Sequence, residues 1–79
     1  MYEKIEFQDP EDNKMYTCFI NFKDIQVLYL TESPDEGRRA TFMVYGQADP
    51  FNIHLGYSGV KINDEAWERI NNMLVKRKR

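Results

Sequence analysis

Apolar and polar residues alternate with a period of two along the first two thirds of the chain, and the period then lengthens to about 3.6. Residues 2–7 read as a first strand, with Ile5 and Phe7 on one face and Lys4 and Glu6 on the other. Gln8, Asp9, Pro10, Glu11, Asp12 and Asn13 form a turn: proline fixes φ, and Asp and Asn side chains bond their own backbone. Residues 15–22 make a second strand and residues 25–31 a third. Both are apolar on both faces: Met15, Thr17 and Phe19 back onto Tyr16, Cys18 and Ile20, and Val27 and Tyr29 onto Leu28 and Leu30. Such strands are either buried on both sides or share one face with a partner. Ser33, Pro34, Asp35, Glu36 and Gly37 are the clearest turn, with Pro early and Gly late. Residues 38–45 and 51–55 supply the fourth and fifth strands.

Beyond Gly56, Tyr57, Ser58 and Gly59, a helix is expected over residues 64–77. Ala66, Trp67, Ile70, Met73 and Leu74 form its apolar stripe, with Trp67 as the central anchor. Asn63 is the expected N-cap, and Ile62 and Trp67 the two halves of a hydrophobic staple. Glu65 and Arg69 stand in the favourable i,i+4 order. A basic tail over residues 76–79 suits the negative end of the helix.

The expected architecture is therefore a single α+β domain over residues 1–79: an antiparallel sheet of about five strands followed by one C-terminal amphipathic helix packed on it. Short turns favour antiparallel neighbours, because a parallel pair needs a crossover of a dozen residues or more. The alternative is a rolled half-barrel, PH-like in style only, with the helix at one end.

Composition changes this picture little. The chain is 42% hydrophobic, with five Phe, five Tyr and one Trp, which suits a small folded core. Apolar runs reach about four residues (residues 42–45), far short of the ~20 needed to span a bilayer. The N-terminal residues lack the layout of a secretory signal, no N-x-[ST] acceptor occurs, and Cys18 is the only cysteine. These features fit a reducing, cytoplasmic setting.

Charge is lopsided. The net value is −2, but residues 1–36 hold nine acids and three bases (−6), and residues 37–79 hold eight bases and four acids (+4). The asymmetry can steer a partner, or the two halves can neutralise each other on folding.

Candidate chemistry is sparse. Cys18 and His54 are the only residues of their kinds, and their spacing carries no catalytic motif. Two such ligands are too few for a structural zinc site. An EF-hand register begun at Asp9 puts Lys14 where Gly is required and Ile20 where Glu is required, so the acidic segment reads as a hairpin turn. The Gly56 to Gly59 loop lacks the spacing and the Gly-Lys pair of a phosphate loop, and Asp64 and Glu65 would repel an anion there. It also lacks the preceding helix of a KH clamp. No enzyme activity, metal or cofactor is expected.

Two binding readings remain. The first is a small non-catalytic protein-interaction or regulatory module, such as an accessory protein of a bacterium or phage, acting on a protein partner or as a homodimer. The second is nucleic-acid binding. Arg38, Arg39, Lys76, Arg77, Lys78 and Arg79 are its candidate contacts to an anionic partner, and Tyr16, Tyr29, Tyr45 and Tyr57 offer stacking surfaces. The acidic pI, near 5.3, weighs against that second reading.

Overall fold

A computed structural model describes residues 2–77, with the side chain of Arg77 excluded. Five strands and one helix follow in the expected order: β1 (Tyr2–Gln8), β2 (Met15–Asn21), β3 (Ile25–Ser33), β4 (Gly37–Val44), β5 (Phe51–Gly56) and α1 (Lys61–Arg77). The second expected strand is cut short because Phe22–Asp24 winds into a 3-10 turn, with the Asn21 side chain accepting the Lys23 N–H as its cap.

The strands do not make one sheet. β1 and β2 form an antiparallel pair, and β3, β4 and β5 form a separate antiparallel sheet in that order. Local geometry gives two reasons. After the 3-10 turn the chain does not fold back onto β2, and β3 pairs with β4 instead. Between β1 and β5, the Asn63 side chain occupies backbone groups of Gln8 and Leu55 that a continuous ladder would use.

The first hairpin keeps a regular register from Tyr2 opposite Asn21 to Gln8 opposite Met15. Its turn uses its own acids. Asp9 Oδ1 accepts the Glu11 N–H and Asp12 Oδ1 the Lys14 N–H, each at 2.8 Å. The β3–β4 hairpin is irregular between Ile25 and Val27, where a bulge breaks the alternation and lets Ile25 and Leu28 both turn inward.

One core serves both sheets and the helix. Ile5, Phe42, Ile53 and Ile70 are wholly buried at its centre, and Ala66 and Met73 extend it along α1. Each buried Ile, Phe or Met side chain among them contributes about 1.5–3 kcal/mol through burial. Trp67 is only partly buried and packs at the core's margin, so Ile70 rather than Trp67 is the deepest anchor of the helix.

The helix also starts earlier than its sequence pattern predicts. It begins at Lys61, which places Asn63 within the first turn instead of at the N-cap, and moves Ile62 and Trp67 out of the staple positions. Asp64 reaches back to the Gly59 N–H, its two oxygens at 3.2 and 3.4 Å, and so meets a donor that precedes the first turn. Arg69 pairs with Glu3 of β1 at 3.2 Å rather than with Glu65.

Candidate functional site

The sequence puts six cations forward, and the structure scatters those it describes. Arg38, on the inward face of β4, is 4% exposed. Its Nε donates to the Gly56 carbonyl and its Nη2 to the Tyr57 carbonyl, each at 3.0 Å. Nη2 also lies 2.8 Å from Asp64 Oδ1, and the guanidinium sits 5.7 Å from the centre of the Trp67 ring. The planar fork of arginine fits this demand for several donors in one plane. Arg38 thus joins β4 to the loop after β5 and to the first turns of α1. Arg39, its neighbour, points to the opposite face and pairs with Glu36 at 3.4 Å. Lys76 lies far along α1, beside a groove shared with Tyr2, Glu3 and Phe22. The side chain of Arg77, together with Lys78 and Arg79, falls outside the described residues.

Cys18 and His54 are not brought together. Cys18 sits on β2 at the edge of the core, where burial raises its thiol pKa above the ordinary value. His54 is on the outer face of β5. Its Nε2 lies 2.9 Å from the Glu36 carbonyl, which fixes the proton on that nitrogen, and Nδ1 faces Glu11 Oε1 at 3.5 Å without a hydrogen bond. Among the described residues, no group of three or more His, Cys, Asp or Glu is placed to hold a metal ion. No helix there is long and apolar enough to cross a membrane.

The tyrosines divide by role. Tyr16 stacks on Phe7, with ring centres 5.6 Å apart, and its hydroxyl donates to Asp12. Tyr57 donates its hydroxyl to the Pro34 carbonyl. Tyr29 and Tyr45 stay open to solvent, 49% and 63% exposed.

Tyr29 belongs to the outer face of the three-stranded sheet. Register sets its rows: Val27 lies opposite Met43, Tyr29 opposite Thr41 and Asn52, and Thr31 opposite Arg39 and His54. Thr41 is 6% exposed despite facing outward, and its hydroxyl donates to Asn52 Oδ1 at 2.7 Å. The polar half of the face is therefore internally bonded. Its apolar half, Val27, Met43 and Tyr29, stays exposed among the described residues. For this face the signal in the sequence was the two-sided apolarity of the third strand, Val27 and Tyr29 against Leu28 and Leu30; what sequence leaves open is which side meets the helix. A second apolar surface is a groove of about 350 Å³ at one end of the two sheets, lined by Tyr2, Phe19, Ile20, Ile25, Val44 and Phe51 among others.

These features define a small α+β domain with open apolar surface on its three-stranded sheet. Comparisons with protein-family models, curated proteins and solved structures gave no match.

Proposed function

We propose that the chain is a non-catalytic protein-binding module, with a regulatory or accessory role, whose partner docks on the outer face of β3, β4 and β5. One observation carries this reading. Val27 and Met43 stand directly opposite each other beside Tyr29, exposed by 38%, 37% and 49%, on a sheet whose other face forms the core. Tyr and Met are enriched at the centres of protein interfaces, and the bonded Thr41 and Asn52 pair and the Arg39 and Glu36 pair provide a polar surround. A reducing, cytoplasmic setting suits the free thiol of Cys18.

The nucleic-acid alternative draws less support. Arg38 is buried against Asp64, and Arg39 already holds Glu36. A salt titration with DNA and RNA separates the readings, since phosphate contacts lose affinity steeply with salt.

The direct test replaces Val27 with Lys and Met43 with Glu, an oppositely charged cross-strand pair that leaves the sheet intact. The reading requires that this variant lose a partner protein that the wild-type chain retains from extract. Equal retention by a folded variant overturns it.

A further inference from the structure

We infer that β2 is a self-pairing edge, and that two copies of the chain join through antiparallel β2 strands into one continuous four-stranded sheet. Among the described residues β2 pairs with β1 alone, so its other edge has no strand neighbour there. Edge strands are normally protected by charge, proline, a bulge or a cover. The seven residues of β2, MYTCFIN, contain no charge and no proline, and their ladder with β1 has no register shift. The edges of the three-stranded sheet are treated differently: β3 carries Glu32 and is broken by the bulge between Ile25 and Val27, and β5 meets the Asn63 side chain at the Leu55 carbonyl. β2 is also the least covered strand, with Met15, Tyr16 and Phe19 exposed by 56%, 39% and 66%.

The occupant follows from self-complementarity. Antiparallel pairing about a twofold axis normal to the sheet sets inward residues against inward ones and outward against outward. Centred on Cys18, the middle of the strand, this register places Tyr16 opposite Ile20 of the second copy and Thr17 opposite Phe19 of the second copy. Both are aromatic and β-branched combinations, the kind that stabilise cross-strand contacts, and symmetry repeats each of them. Charge agrees: no ionised group lies within the paired strands, and the flanking Lys14 and Lys23 fall beyond them, opposite Phe22 and Asn13 rather than each other. The contact is small beside the roughly 1,600 Å² of a standard interface, so the dimer is a weak one that forms with rising concentration.

The proposal is independent of the outer-face partner, because the two surfaces lie on different sheets. Sedimentation equilibrium of the full chain between about 10 µM and about 1 mM is expected to show the mass rising from monomer toward dimer. The Thr17→Lys, Phe19→Lys double variant changes two exposed positions and sets lysine against lysine across the axis, so it is expected to stay monomeric throughout. In a mixture of isotope-labelled and unlabelled wild-type chains, contacts between Tyr16 and Ile20 of the other copy should appear as intermolecular nuclear Overhauser effects. A wild-type chain that remains monomeric at about 1 mM overturns the proposal. So does a dimer that survives the double substitution or lacks those contacts.

Discussion

The carboxamide of Asn63 stands beside Gln8 as a neighbouring strand would, accepting its N–H at 2.8 Å and donating to its C=O at 2.8 Å. A third bond, from Nδ2 to the Leu55 carbonyl at 3.1 Å, carries the link across to the other sheet. One side chain, 2% exposed, therefore satisfies backbone groups of both sheets where their ladders do not meet.

Replacing Asn63 with Ala strands those groups. Leaving a buried donor or acceptor unmet costs about 1–3 kcal/mol, and here more than one group is affected. A domain of this size commands roughly 3–5 kcal/mol, so Asn63→Ala is expected to bring the chain close to unfolding. Asn63→Asp retains an acceptor for Gln8 but opposes two carbonyls with a carboxylate, and should be no better. Urea denaturation measures both, and a loss below about 0.5 kcal/mol for the Ala variant contradicts the bridging role.

Element order was legible in the sequence because alternation in the strands and the stripe of Ala66, Ile70 and Met73 are local signals. Asn63 was misread for an equally local reason. Asn before an acidic turn has the pattern of an N-cap, and nothing nearby reveals Gln8, 55 residues away, as its partner. The division into two sheets was hidden likewise, since it depends on that long-range bond and on the 3-10 turn at Phe22. For the candidate cations, adjacency misled: Arg38 and Arg39 are neighbours in sequence, and strand alternation sends one into the core and the other to the surface.

Arg38 is the second load on the fold. Arg38→Met keeps much of the stem's packing but removes the donors to Gly56 and Tyr57 and leaves Asp64 without its cation. The expected loss is about 1–3 kcal/mol, held below the figure for a wholly buried pair because the Asp64 side chain is 42% exposed. Asp64→Asn should cost less, because an amide oxygen still accepts from Gly59. Trp67 fluorescence, which senses the guanidinium over its ring, is expected to shift in Arg38→Met. Stability and emission both unchanged would refute this assignment.

Acid should loosen the first hairpin. The Tyr16 hydroxyl and the Lys14 N–H hold the Asp12 carboxyl below its ordinary value of 3.8. Its folded pKa is thus lower than its unfolded one, so the stabilisation is present above about pH 3.8 and is lost as pH falls through the folded value. In Tyr16→Phe the largest cause of the shift is gone. An NMR titration of the Asp12 carboxyl should then move back toward 3.8, with less of the acid-dependent stability change. An unaltered titration in that variant would count against the bond.

Gly37 and Gly46 separate backbone strain from close approach. Both hold positive φ, +76° and +83°, where an L-residue with a Cβ is disfavoured by about 1–2 kcal/mol. At Gly46 an added Cβ meets nothing within 4 Å, so Gly46→Ala should cost only that strain. At Gly37 it would lie 2.5 Å from the Gly56 carbonyl carbon and 2.7 Å from its oxygen, backbone atoms that cannot swing aside as a side chain can. That carbonyl also accepts the Arg38 Nε bond, so relief by moving β5 would weaken the link from Arg38 to the helix. Gly37→Ala is therefore expected to lose at least about twice as much stability as Gly46→Ala, in urea melts of the two variants under one condition. Equal losses would mean that β4 and β5 part at this point without penalty, and that the contact between Gly37 and Gly56 does not hold the sheet to α1.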